Sequence, residues 1–117
     1  MMAHHTGSCH CGAVAFSVEA EFTKGMVCNC SICRKRGSVL DFVPEAAMTL
    51  QQGADKLTDY RFNQHRITHQ FCSVCGILPF ARAAGPDGTP MVAINLRCVD
   101  GLDLKNIQIA EYDGAST

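Results

Sequence analysis

No apolar run in this chain approaches the ~20 residues that a helix needs to cross a bilayer. The opening stretch, MMAHHTGSCHCG, also lacks the charged and apolar regions of a signal peptide. Neither a membrane span nor export is expected, and the address read from the sequence is cytoplasmic. A charge excess is missing too, since ten Lys and Arg stand against eleven Asp and Glu for a net charge of −1. No global field recruits nucleic acid or an anionic membrane, so electrostatic recognition must be local. Sustained helical periodicity is absent, and nothing repeats beyond short cysteine spacings. At 117 residues there is room for one domain over 1–117 and none for a second core.

Sulfur is abundant by contrast. Eight cysteines form CxC at Cys9 and Cys11, CxCxxC at Cys28, Cys30 and Cys33, and CxxC at Cys72 and Cys75, with Cys98 alone. A disulfide scaffold suits exported chains with small cores, whereas this one has no export signal and is 47% hydrophobic. Buried apolar cysteines would not cluster in this way. Metal binding accounts for the spacing, because two thiolates held on one turn occupy two corners of a tetrahedral zinc site.

The segments around these clusters alternate with the period of strands. AVAFSVEA from Ala13 places Val14, Phe16 and Val18 on one face; SVLDFVP places Leu40 and Phe42 opposite Val39, Asp41 and Val43, with Pro44 closing it. RITHQF, from Arg66 to Phe71, leads into Cys72, and ILPFAR, from Ile77 to Arg82, leads away. AGPDGTP must turn, and MVAINLR then presents Val92, Ile94 and Leu96 to a core. A short helix is expected at most once, around Ala46 to Gly53 or Val99 to Ile107. The class is mainly β, with each cysteine cluster on a turn between strands.

Seven clustered cysteines cannot fill two four-ligand sites. Sequence permits more than one partition, and the economical one joins Cys9 and Cys11 to Cys72 and Cys75 in a closed structural site. Cys28, Cys30 and Cys33 then form a site with a fourth position for water or substrate, the pattern of catalytic zinc. Cys98, a histidine or a partner's side chain could instead close it. His10 lies between two ligands and should point away; His4 and His5 are expected in a mobile terminus, and His65 and His69 as ordinary core or surface residues.

Three thiolates leave zinc near −1 in charge, a weak Lewis acid suited to a soft ligand such as a thiol. Lowering a thiol pKa from about 8.5 to about 6 raises its thiolate fraction at pH 7 roughly 30-fold. Reduced nucleophilicity takes back about tenfold. Any larger acceleration must come from holding a carbonyl carbon against the sulfur. Arg34, Lys35 and Arg36 follow the triplet at once and could receive a carboxylate, or could simply be a solvated charged turn.

GSCHCGAVAFSV, CNCSICRKRGS, FCSVCG and INLRCVDG, in that order, resemble the glutathione-dependent formaldehyde-activating family, which includes centromere protein V-like domains. The likeness runs from Gly7 to Gly101. It implies twisted antiparallel sheets around zinc knuckles, similar to the methionine sulfoxide reductase B type of fold. It implies two Zn²⁺ per chain, structural at Cys9, Cys11, Cys72 and Cys75 and catalytic at Cys28, Cys30 and Cys33. The activity it implies is carbon–sulfur lyase chemistry, in which glutathione adds to formaldehyde to give S-hydroxymethylglutathione. The expected partners are thus a small-molecule thiol and an aldehyde, with no nucleic acid and no membrane. No catalytic acid or base beyond the zinc ligands is legible. A zinc-stabilised interaction module and a Cys30/Cys33 redox dithiol are the rival readings, and Cys98 reads as a spare core thiol.

Overall fold

The computed structural model describes residues 3–61 and 67–113. Ten strands occur among them: β1 (Ala3–Ser8), β2 (Ala15–Ala20), β3 (Lys24–Cys28), β4 (Leu40–Pro44), β5 (Met48–Gln52), β6 (Leu57–Tyr60), β7 (Thr68–Cys72), β8 (Phe80–Ala84), β9 (Pro90–Asn95) and β10 (Gln108–Tyr112). One α-helix, α1 (Ser31–Arg36), lies between β3 and β4. The chain is mainly β, as its alternation predicts. The strands divide into a three-stranded sheet ordered β1-β2-β5 and a seven-stranded sheet ordered β10-β3-β4-β9-β8-β7-β6.

The small sheet covers one face of the large one. Val14 and, from β2, Phe16 and Val18 are buried with Phe80, Val92 and Ile94 of the large sheet. Phe16 and Phe80 meet edge to face, with ring centroids 5.8 Å apart. Transfer of each such ring out of water contributes about 2–3 kcal/mol. Leu96 completes this core, so Val92, Ile94 and Leu96 lie where their alternation places them.

The opposite face of the large sheet carries α1. Neighbouring residues along a strand point to opposite faces, so Ala81 and Ala93 face away from the core that Phe80, Val92 and Ile94 enter. They form a second cluster with Leu40 and Cys33. Two alanines there leave space for a helix to sit close to the sheet. The pairings Tyr60 with His69, His69 with Ala81, Ala81 with Ala93 and Ala93 with Phe42 run one row of residues across this face.

Several expectations are corrected. The cysteine triplet is not on a simple turn, because its C-terminal half forms α1, closed by Gly37 in the left-handed region at φ 73°. Only glycine adopts that conformation without steric cost. The segments 46–53 and 99–107 hold no α-helix; short 3-10 turns stand at Glu45–Ala47 and Leu104–Asn106 instead. His4 and His5 belong to β1, paired in antiparallel fashion with Glu19 and Val18. Antiparallel pairing prevails except between β10 and β3, which run parallel. The strand expected from Arg66 begins at Thr68; Ile67 is exposed, and Arg66 and His65 lie outside the described residues. No helix among the described residues is long and apolar enough to cross a membrane.

Candidate metal centres and the surrounding site

The four-cysteine cluster joins distant parts of the chain. Cys9 and Cys11 lie in the turn between β1 and β2, while Cys72 ends β7 and Cys75 follows in a tight turn. Gly76 N–H donates to the Cys72 carbonyl at 2.8 Å, closing that turn. The four sulfurs lie within 4.8 Å of one another. Cys11 Sγ is 3.6 Å from both Cys9 Sγ and Cys72 Sγ. A tetrahedron of thiolates about 2.3 Å from zinc has edges of about 3.8 Å, so the donor set fits that ion.

Electrostatics say the same. Backbone N–H groups donate to two of the sulfurs, from Val14 to Cys9 and from Val74 to Cys72, each at 3.4 Å. Burial disfavours the Cys75 thiolate, but N–H donors from Ile77 and Cys11 outweigh it and bring its pKa down to about 6. Backbone donation, led by Cys75, also lowers that of Cys72. At Cys11 the Ala13 N–H favours ionisation, yet burial and the neighbouring thiols prevail and push the value up to about 11. Part of the cluster is poised to ionise and the rest is held back by crowding, a conflict that a bound cation relieves.

Cys28, Cys30 and Cys33 bring their sulfurs within 4.8 Å as well. Cys28 ends β3, Cys30 caps the start of α1, and Cys33 sits on the helix side that meets Leu40, Ala81 and Ala93. Burial opposes ionisation of Cys30, but hydrogen bonds from the Cys33 backbone and thiol lower its pKa on balance. Burial and the competing Cys30 thiol push Cys33 up to about 12, against the pull of Arg36. A soft cation fits these three thiols, and no fourth Cys, His, Asp or Glu joins them among the described residues. A cleft of about 550 Å³ opens beside Cys28, walled by Val27, Asn29, Glu111, Tyr112 and Asp113.

The basic run divides. Arg34 and Lys35 are exposed on α1, whereas Arg36 is half-buried. Its guanidinium donates to Ser38 Oγ at 3.1 Å, to His69 Nδ1 at 3.2 Å and to Cys33 Sγ at 3.5 Å. Because arginine only donates, Nδ1 of His69 must accept, leaving any ring proton of the neutral form on Nε2. His69 is 4% exposed, and burial, with Arg36 second, lowers its pKa to about 4. Sequence reading missed this chain from Cys33 through Arg36 to His69. Its signal was the three-residue spacing of Cys33 and Arg36, which shares a face only once the segment is helical.

Cys98 stays out of both clusters. It is partly buried, its thiol lies 3.7 Å from the Leu78 carbonyl, and burial raises its pKa to about 11. His10 is exposed, and neither it nor His69 joins a cysteine cluster.

Comparison with known proteins agrees with this geometry. The family model described as glutathione-dependent formaldehyde-activating enzyme matches residues 4–111. A crystal structure of a Rhodobacter sphaeroides protein, a structural genomics target, superposes with a TM-score of 0.75 at 27% identity, covering 90% of this chain and 99% of that one.

Proposed function

Since the chain belongs to the glutathione-dependent formaldehyde-activating enzyme family, we propose that it joins a thiol, glutathione first, to formaldehyde or another small aldehyde at Cys28, Cys30 and Cys33. Cys9, Cys11, Cys72 and Cys75 would hold a structural zinc. The observation that carries this reading is the inequality of the clusters, four converging sulfurs in one and three in the other. Four thiolates saturate zinc, and three leave a place for a substrate thiol.

Zinc held by the three thiolates would supply a soft Lewis acid that favours the deprotonated form of an incoming thiol. The chemistry is an addition: the thiol sulfur forms a bond to the carbonyl carbon, the C=O π pair moves to oxygen, and the thiol's proton ends there as a hydroxyl. The chain's own residues contribute placement. Arg36 donates to Cys33 Sγ and offsets negative charge gathered on the cluster, while neutral His69 accepts from Arg36 and fixes its direction. Ala81 and Ala93 let α1 approach the sheet, setting Cys33 against Cys28. Since thiol activation alone gains only a few-fold, the larger part of the acceleration would come from holding the carbonyl carbon against the sulfur.

Zinc content per chain and the zinc X-ray absorption edge, followed as glutathione is added, test the proposal together. Two zincs, one gaining a sulfur neighbour from glutathione, are expected, with C–S adduct formation on adding aldehyde. One zinc in metal-replete protein, or two with unchanged surroundings, would turn the reading toward a non-catalytic interaction module. Val74, 64% exposed on the second knuckle, would then be the first surface to probe.

A further inference from the structure

Strand β10 ends beside the three-cysteine cluster. Its last residue, Tyr112, pairs in parallel with Cys28 of β3, and neighbouring strands lie about 4.8 Å apart. Residues paired in this way present their side chains to the same face of a sheet. Cys28 packs on the face that carries α1, against the cluster of Cys33, Leu40, Ala81 and Ala93, and Tyr112 shares that face. Tyrosine is longer than cysteine by a ring and a hydroxyl, so the phenol reaches past the Cys28 sulfur. Both residues line the cleft of about 550 Å³.

The backbone under this phenol is fixed, while the phenol itself is unengaged. The Asn29 N–H donates to the Tyr112 carbonyl at 3.2 Å, and the Asn29 side-chain amide donates to Asp113 Oδ1 at 2.9 Å. The residue after Cys28 thus clasps the end of β10. No described residue hydrogen-bonds to the Tyr112 hydroxyl, and the residue is 49% exposed. The other polar groups of the wall are turned away or taken. Glu111 pairs with Val27 and so faces the opposite side, where Val27 meets the main core. Asp113 already accepts from Asn29, and an ionised carboxylate has no hydrogen bond to give. Outside the cleft wall, the guanidinium of Arg36 is committed to Ser38, His69 and Cys33.

We propose that the Tyr112 hydroxyl is a catalytic hydrogen-bond donor, placed beside the three-cysteine cluster to meet the aldehyde oxygen as the thiol sulfur bonds to the carbonyl carbon. The inference rests on the thiol–aldehyde reading of that cluster and adds to it the group that receives the oxygen. As the C–S bond forms, the C=O π pair moves to oxygen. Tyr112 O–H donates to that oxygen and keeps its own proton; the proton that the thiol gave to water returns from water to make the hydroxyl. A donor already in place favours the transition state over the aldehyde, because the oxygen accepts more strongly once it carries charge.

Thioacetate and ethanethiol are the probes, since both offer a sulfur but only thioacetate carries an oxygen on the adjoining carbon, as the adduct does. Calorimetric binding of thioacetate to the zinc-loaded protein should weaken about tenfold in Tyr112→Phe, the loss expected for one hydrogen bond to a charged oxygen. Ethanethiol binding should change less than about twofold in the same variant. Tyr60→Phe, on β6 at the other edge of the large sheet, should leave both probes unchanged. In turnover with formaldehyde, Tyr112→Phe should lower kcat at least about tenfold and leave zinc content and KM for the thiol unchanged. Unchanged thioacetate binding, equal weakening of both probes, the same loss in Tyr60→Phe, or no thioacetate binding to the wild type would each overturn the role of Tyr112, even in a protein that turns over. If no thiol–aldehyde pair turns over, the reaction falls, and the selective loss of thioacetate still upholds or overturns the contact of the phenol with an oxygen beside the sulfur.

Discussion

Acid should destabilise this protein through His69, by an amount that its burial sets. Its pKa is lowered from 6.5 to about 4 by burial, reinforced by the Arg36 guanidinium against Nδ1. Above pH 6.5 the ring is neutral whether the chain is folded or not, and the fold keeps its full stability. As pH falls from 6.5 toward 4, the unfolded chain takes up a proton that the folded chain refuses, so stability is lost across that window. Linkage gives a loss of about 2 kcal/mol between pH 7.5 and 5, rising to about 3 kcal/mol by pH 4. Other groups titrate in this range, so the measurement is a difference. Urea unfolding of the zinc-loaded wild type and of His69→Gln at pH 7.5 and 5 isolates the histidine. Glutamine can still accept from Arg36 but cannot charge. The variant should lose about 2 kcal/mol less than the wild type on acidification, whatever its stability at neutral pH. Equal losses in the two proteins would refute the burial argument and mean that His69 charges within the fold.

Cys72→Ser should unfold the chain, since structural zinc contributes about 10–16 kcal/mol to small modules and exceeds the net stability of about 5–15 kcal/mol of ordinary domains; circular dichroism checks this. Cys30→Ser should keep the fold, lose one zinc of two and abolish turnover; unfolding would make the triplet structural. Gly53 has φ 93°, and a Cβ there would lie 2.2 Å from the Ala13 carbonyl oxygen, so Gly53→Ala should cost at least ~2 kcal/mol in urea unfolding. Phe16→Ala, which empties a ring from the core, should cost about 3–5 kcal/mol by the same measurement.

What sequence reveals here depends on how local the signal is. Val14, Phe16 and Val18, and later Val92, Ile94 and Leu96, report their core face through alternation, because one sheet face is buried along each run. The sequence permitted more than one partition of the cysteines, and the sulfurs converge in the economical one, four and three. Strand β10 was not legible, because all five of its residues are exposed and its pairing with β3 depends on distant backbone. The helix α1 was missed because six residues carry less than two turns of pattern, and cysteine spacing drew the eye to a turn. The contact of Arg97 with Gly37 was unreadable, since only the fold brings the two together.

The parallel pairing of β10 with β3 sets an order of assembly. Tyr112 lies in register with Cys28, and the Asn29 N–H donates to the Tyr112 carbonyl at 3.2 Å. A chain growing from the ribosome holds every ligand of the four-cysteine cluster once residue 75 has emerged. The strand that flanks Cys28 emerges more than thirty residues later, at Gln108–Tyr112. The knuckle that braces the sheets is therefore available to fold early, and the turn that carries Cys28 and Cys30 gains its last support only when synthesis has passed residue 112. A chain stopped short of residue 108 would carry its full four-thiol cluster but lack the strand that pairs with β3 beside Cys28.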